Sequence, residues 1–418
     1  MSLNTHCLPL LFTLISLSCC FSTGSYIEDP FRVGFRHGRA YHRPTSYHSY
    51  FRTFDHVHNK RNYRNPYSAN RFDYDAKVRG PTTPKIVNVD DFGTKANGAD
   101  DSQAFEQAWK YACSSSQGAT MVVPKQKIYR LKPINFSGPC KSPLILQIYG
   151  TIKATEDHSD YEDGGRRWLF FDKVQNLRVE GGGTIDGSGR TWWEKSCKIN
   201  EALPCKEAPT AVTFNECTNV RVSSLQITNA QQMHLTFQQC VNVDAFNLQV
   251  KAPGNSPNTD GIHVTGTQNI NINNCVIGTG DDCISIVSGS KNVHATGITC
   301  GPGHGISIGS LGAGNSAAFV SNVIVNKATL SGTSNGVRIK TWQGSAVQVS
   351  DVLYQNIRGT SASGVAMKFD CSQSVPCRGI YLQNVALRAE EDDNTQASCS
   401  NVRLSYTGDV SPPCSSQN

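Results

Sequence analysis

Charge and long apolar runs are both scarce in this chain. Only 17% of its 418 residues are Asp, Glu, Lys or Arg, too few for a coiled coil. Beyond the N-terminus no apolar run approaches the ~20 positions that a bilayer helix needs. There is no Cys-x-x-Cys pair, and Cys371 with Cys377 has no second pair with matching histidines, so a zinc site is not supported. Helical periodicity is missing after Cys113. What is plentiful is glycine (36 residues) and cysteine (16). That composition suits turn-rich β structure in one or two domains better than a helical bundle.

Leu8–Leu17 is the one strongly apolar stretch, and Cys19, Cys20, Phe21, Ser22, Thr23 and Gly24 follow it closely. It is too short to span a bilayer and stands just before small residues. Residues 1–24 therefore read as a secretory signal, although the usual Lys or Arg before the apolar run is missing. A buried N-terminal strand is the alternative. Tyr26–Lys85 carries 12 Lys+Arg against 5 Asp+Glu, with seven of the 14 Tyr and five of the 11 His. Aromatic–basic alternation is also a mark of nucleic-acid or polyanion binding. With no hydrophobic periodicity and a signal ahead of it, residues 25–85 read instead as a poorly ordered leader or propeptide. Such a leader could still hold an acidic extracellular polymer by charge. From Ile86 onward the net charge is −1, so the basic pI reflects the leader and not a substrate.

Sixteen cysteines fit the secretory route. Losing Cys7, Cys19 and Cys20 with the signal leaves 13, so at least one thiol is expected unpaired. Cys371/Cys377, Cys197/Cys205, Cys283/Cys300, Cys113/Cys140 and Cys399/Cys414 are candidate disulfides, but spacing does not fix connectivity. Asn135-Phe136-Ser137 is a sequon for a glycan.

The body, residues 86–418, is built from a repeat. Val87-Asn88-Val89 opens a short strand, and Gln103–Cys113 is the one helix expected. Phe105, Ala108 and Trp109 form its apolar stripe, and Asp101 or Ser102 would cap it. Thereafter an Asn introduces short β-branched runs at Asn176, Asn219, Asn242, Asn269, Asn292, Asn322 and Asn401. From Asn219 to Asn322 these follow one another at intervals of 23, 27, 23 and 30 residues. Asn176 precedes Asn219 by about two such periods, and the long gap from Asn322 to Asn401 divides at Asp351 and Gly379 into three. A period in the twenties without helices points to an all-β, right-handed parallel β-helix, a solenoid with the helix covering its N-terminal end. The recurring Asn would form an amide ladder inside the stack. An irregular β-sandwich is the competing architecture.

In a solenoid, residues one period apart stand above one another at ~4.8 Å. Asp281-Asp282 follows Asn258-Thr259-Asp260 by one such period, and His304 follows Asp281 by one more. Arg338 and Lys340 come one longer coil on and share a strand face. The expected column is a carboxylate, two carboxylates, an imidazole and paired cations. Clustered acids repel, so at least one carboxyl should titrate high. A protonated carboxyl beside an ionised one is what glycosidic cleavage needs. The cations would hold an anionic sugar, with Arg338 gripping a carboxylate in a fork. Singly, each motif could be a turn, a buried histidine or an exposed face. Their common phase makes them one candidate site.

Asn258-Thr259-Asp260-Gly261, Gly280-Asp281-Asp282-Cys283, Gly301-Pro302-Gly303-His304-Gly305-Ile306-Ser307-Ile308-Gly309-Ser310 and Arg338-Ile339-Lys340 resemble the four signature motifs of the polygalacturonases, glycoside hydrolase family 28. Val89-Asp90-Asp91-Phe92-Gly93, Ile185-Asp186-Gly187-Ser188-Gly189 and Trp192-Trp193 resemble the plant branch. The resemblance runs from about Ile86 to the C-terminus. It implies hydrolysis of α-1,4 links between galacturonic acids in pectin, with inversion, without metal or cofactor, by a secreted cell-wall monomer with no nucleic-acid or membrane partner. By position Asp281 resembles the general acid, and Asp260 with Asp282 the pair activating water. His304 resembles the histidine supporting the acid, Arg338 and Lys340 the carboxylate-binding pair, and Asn258 a further residue lining the cleft. After Gly344 the chain departs from the family, since a coil with a Tyr-Cys-Asp stretch is missing and neither Tyr354 nor Tyr381 replaces its tyrosine. Weakened hydrolysis is therefore expected, with a catalytically impaired pectin-binding β-helix and a pectate lyase as alternatives.

Overall fold

The computed structural model describes residues 84–162, 166–390 and 395–414. The signal assigned to 1–24 and nearly all of the leader assigned to 25–85 lie outside the described residues. The first strand, Lys85–Asn88, begins before the expected Val87, and Val89–Phe92 is already a 3-10 turn. Asn88 causes the change: its side chain accepts the Asp90 N–H at 3.0 Å, and Gly93 at φ 90° ends the turn.

The helix runs Ser102–Cys113, with Phe105, Ala108 and Trp109 buried. Phe105 meets the Tyr129 ring edge-on at 5.4 Å, and Trp109 lies 4.9 Å from Phe136, so the stripe seals the first coils. The expected cap does not form. Asp101 sits at the N-cap, but its carboxylate accepts the Lys95 N–H at 2.6 Å, while Ser102 donates its N–H to Asp100. Short helical pieces at His158–Tyr161, Arg190–Glu194 and Ala313–Asn315 also occur in the turns, where no apolar stripe announces them.

Among the described residues, parallel strands form a 20-stranded sheet and a 10-stranded sheet. They wind as a right-handed parallel β-helix. Apolar side chains stack coil on coil inside it. One row runs Leu177, Val220, Val243, Ile270, Val293, Val323, Val352 and Ile380. Another, on the smaller sheet, runs Leu169, Val212, Leu235, Ile262, Ile284, Ile306, Val337 and Met367. Each residue of these rows is buried, so the pleat leaves the alternate positions facing outward.

The asparagine ladder forms, at a half-buried corner of the coils. Asn219, Asn242, Asn269, Asn292 and Asn322 each donate Nδ2 to the Oδ1 of the preceding Asn, at 2.7–3.1 Å from Asn219 to Asn322. All six residues from Asn176 have φ between 55° and 61°, the left-handed bend at which each coil turns a corner. Asn tolerates that conformation, and Asp351 and Gly379 occupy the same corner further on.

Beyond Gly344 the pairing is continuous. Val337–Thr341 pairs directly with Val365–Asp370, and Val323 stands in register with Val352. All five candidate cysteine pairs are disulfides, and Cys217, Cys240 and Cys275 are free and buried. No helix among the described residues is long and apolar enough to cross a membrane.

Candidate active site

The acidic motifs and His304 occupy the same turn of successive coils, the one that leads into the ten-stranded sheet. Asn258-Thr259-Asp260 precedes Ile262–Thr265, Asp281-Asp282 precedes Ile284–Ile286, and His304 precedes Ile306–Leu311. Backbone bonds lock these turns together. Gly261 N–H donates to Asp282 C=O, His304 N–H to Asp281 C=O and Cys283 N–H to Gly305 C=O, each at 2.8 Å. Gly280 is required where these turns meet, since a Cβ there would lie 1.9 Å from the Ser256 carbonyl oxygen. The Cys283–Cys300 disulfide braces the same turns. Arg338 and Lys340 stand instead on the strand Val337–Thr341, at its two outward positions.

Asp281 is the most contacted of the three acids. Its Oδ1 lies 2.9 Å from His304 Nδ1 and accepts the Asp282 N–H at 2.8 Å, while Asn258 Nδ2 approaches Oδ2 at 3.4 Å. Asp282 Oδ1 accepts from Ser307 Oγ and Arg338 Nη2, each at 2.7 Å. Asp260 Oδ2 accepts from Ser285 Oγ at 2.6 Å, and that hydroxyl accepts from His263 Nδ1 at 2.7 Å. Among the described residues, Asp260 Oδ1 and Asp282 Oδ2 accept no side-chain bond, so both carboxylates keep one oxygen open.

One carboxyl titrates high, as clustered acids require, but it is Asp282 rather than Asp281. Burial drives Asp282 up to about 6, helped by the charges of Asp281 and Asp260 and opposed by Arg338. Burial would raise Asp281 too. The hydrogen bond and charge of His304, the Asp282 N–H and the Arg338 charge outweigh it and hold the carboxyl below its ordinary range. His304 is raised in turn, chiefly by its bond to Asp281.

Arg338 also differs from expectation. Instead of standing free for a sugar carboxylate, its guanidinium donates Nε–H to Ser307 Oγ and Nη2–H to Asp282, each at 2.7 Å. A buried carboxylate without a cation is costly, and Arg338 is the cation within reach. Lys340 has no hydrogen bond or ion pair among the described residues, and burial beside Arg338 lowers its ammonium from the ordinary value. Lys340 is thus the open cation of the pair.

Sequence reading missed His263, Ser285 and Ser307, the residues behind the acids. Ser285, Ser307 and Arg338 form one outward row with His263, in register from coil to coil. The near-identical segments Ile284-Ser285-Ile286 and Ile306-Ser307-Ile308, one coil apart, carry the signal that could have revealed them. His234 is fully buried and its imidazole is lowered to about 4 by that burial, so it is neutral. It takes the Ala230 N–H on Nε2 at 3.4 Å and donates Nδ1–H to the Asp260 carbonyl at 3.0 Å, fixing the turn. Donor atoms of Asp281, Asp282 and His304 lie within 4.8 Å of one another, the one group among the described residues spaced for a cation. Two of these donors are already bound to His304 and Arg338, which suits proton exchange better than ligation.

Comparison with known proteins agrees with this arrangement. The profile of glycosyl hydrolases family 28 matches residues 113–358 and 344–411. Polygalacturonase QRT2 of Arabidopsis thaliana is 53% identical over 445 aligned residues, covering 97% of this chain and 98% of that protein. A polygalacturonase of Malus domestica is 57% identical over 371, covering 79% of each. The fold matches the endo-xylogalacturonan hydrolase of Aspergillus tubingensis with a TM-score of 0.67 at 22% identity, over 77% of this chain and 91% of that one. With motifs, coil register and two extensive sequence matches in agreement, the chain is a glycoside hydrolase and belongs to glycosyl hydrolases family 28.

Proposed function

We propose that this protein is a secreted polygalacturonase that hydrolyses the α-1,4 links of polygalacturonate in the cell wall, with inversion. The observation that carries the reading is the pairing of Asp281 with His304 directly beside Asp282 and its Arg338 partner. Asp281, with a side chain 18% exposed, is the acid that a glycosidic oxygen can reach, whereas Asp282 is 6% exposed. Asp281 gives a proton to the leaving oxygen and is resupplied through its bond to His304. Asp260 Oδ1 and Asp282 Oδ2 hold the attacking water and take its proton. Asn258 borders Asp281, and Lys340 takes a carboxylate of the substrate. Carboxylate oxygens of Asp281 and Asp282 lie within 4.8 Å of each other, closer than the ~6.5–9.5 Å of most inverting pairs. Inversion here rests on a water placed between Asp260 and Asp282, not between Asp281 and a single base.

The close relatives named as polygalacturonases support the substrate, and similarity to one of them over 97% of this chain takes in most of the N-terminal segment. Residues 1–24 are read as its secretory signal, 25–85 as its leader, and 86–418 as a catalytic domain acting as a monomer. Asn135 is exposed on its strand and open to a glycan. The family match breaks into two segments that overlap at 344–358, and the alignment with the Arabidopsis relative is longer than this chain. Both support the loss of one coil after Gly344 and weaker placement of substrate beyond Lys340. The acid set and the family favour hydrolysis over elimination or binding alone. The test is release of reducing ends from polygalacturonate by the purified chain, with the anomer of the first product read by NMR. No release, or a product of retained configuration, would overturn the reading.

The pH profile follows from the two shifts. Activity is expected to fall as pH drops through about 6, where Asp282 takes a proton and ceases to act as a base. It is expected to fall again as pH rises through the raised His304 value, where the Asp281–His304 pair loses its proton. Rates measured across the acid, neutral and mildly alkaline range should give a bell, and His304→Gln should displace its descending limb to the pH at which Asp281 alone loses its proton. A flat profile would contradict both roles.

Lys340→Ala is expected to lower kcat/KM on de-esterified polygalacturonate by roughly ten- to a hundredfold, the worth of one charge-assisted contact. On highly methyl-esterified pectin the loss should be much smaller, because the partner carboxylate is already neutral. Equal losses on the two polymers would reduce Lys340 to a structural role.

A further inference from the structure

The strand after Lys340 brings a second cation onto the same face. Val365–Asp370 pairs with Val337–Thr341 in the register Arg338↔Lys368 and Lys340↔Asp370. Met367 and Phe369 are buried, so the pleat turns Lys368 and Asp370 outward, as it does Arg338 and Lys340. Lys368 therefore continues the outward row of His263, Ser285, Ser307 and Arg338, and the small Ser398 follows it on the next strand. It forms no hydrogen bond or ion pair among the described residues. Asp370, the other outward group, is held by Gln343, whose Nε2 donates to its Oδ1 at 3.1 Å. Arg338 is turned toward Asp282, so Lys340 and Lys368 are the two cations of this face left open, on adjacent strands ~4.8 Å apart.

We infer that Lys368 is a specificity-determining residue, taking the carboxylate of the uronic acid unit next beyond the one held by Lys340. This rests on the polygalacturonate reading above. Lys368 is next to Arg338 because the chain passes from Thr341 to Val347 without an intervening coil, so that Val365–Asp370 stacks directly on the strand of the site. A polymer lying along the stack meets Asp281 first, then Lys340, then Lys368. Successive acidic sugars find successive ammonium groups, and the cation replaces part of the cleft wall that a further coil would provide.

The test uses the full chain carrying Lys368→Gln, assayed on de-esterified polygalacturonate and on highly methyl-esterified pectin. The expected result is a KM raised about tenfold on the first polymer, with kcat largely kept, and no change on the second. Lys368→Arg should restore most of the affinity, since the charge is what the site supplies. An unchanged KM on polygalacturonate, or an equal rise on both polymers, would overturn the assignment. Retardation of the protein in gels containing polygalacturonate separates this inference from the catalytic one. If the wild-type chain releases no reducing ends but is retarded, loss of retardation in Lys368→Gln still supports Lys368, and equal retardation refutes it. If the wild-type chain neither cleaves nor is retarded, both readings fall.

Discussion

Asp281→Asn is expected to reduce kcat by ~10²–10⁴-fold, the usual worth of a positioned proton donor, while the protein folds and still binds polygalacturonate. An asparagine oxygen can still accept the Asp282 N–H and face His304 Nδ1, the two contacts that hold this side chain at 2.8 and 2.9 Å. Its size is unchanged, so the turn stacked between Asn258 and His304 should survive. What it lacks is a titratable oxygen. The leaving sugar would then depart as an alkoxide in a site already crowded with carboxylates. The measurement is reducing-end release under saturating substrate, with near-ultraviolet circular dichroism as the check on folding. Turnover near that of the parent would show that the proton comes from elsewhere. Asp282 would be the first suspect, because its carboxyl is the one that burial raises.

Arg338→Ala should damage both stability and catalysis. The Arg338–Asp282 pair is 2.7 Å long and nearly closed to solvent, with side chains 12% and 6% exposed. Removing one member of a buried pair costs about 3–5 kcal/mol, because the other is left charged without a partner. The pH dependence gives the sign. Asp282 already titrates above its unfolded value, so its burial costs nothing below the unfolded pKa and its full amount above about pH 6. Without Arg338 the carboxyl rises further, so the penalty should be small in acid, near the unfolded pKa, and greatest at neutral pH. Denaturant midpoints under the two conditions measure this. Turnover at neutral pH should fall by at least about a hundredfold as Asp282 loses its role as a base. Replacing both residues with leucine should restore stability and not activity. A variant as stable as the parent at neutral pH would mean that Asp282 does not depend on Arg338.

The repeat, the disulfides and the phase of the catalytic motifs were legible in the sequence because each is periodic or local. Stacking of coils converts one period of sequence into adjacency, so Asp260, Asp281, Asp282 and His304 could be placed together from spacing alone. Short loops likewise favoured the cysteine pairs that form, such as Cys371–Cys377. The asparagines were visible as a ladder, but the half-buried corner that holds them was not. A side chain at φ near 58° leaves the pleat at a corner, and periodicity does not report φ. The helix cap was lost to a similar blindness, because Asp101 commits its oxygens to the Lys95 and Ala96 N–H groups of the preceding loop.

The charge states and commitments of the site belonged to the tertiary structure. Sequence placed the ionisable groups in one column, but which carboxyl rises depends on burial and on which cation reaches it. Arg338 spans two coils to Asp282, so Asp282 is both the buried acid and the paired one, and Asp281 is governed by His304. The same holds for Lys368, whose sequence neighbours Met367 and Phe369 say only that it points outward. Its place beside Arg338 follows from the register between the strands of two successive coils, and a register is set by the packing of whole coils rather than by any local pattern.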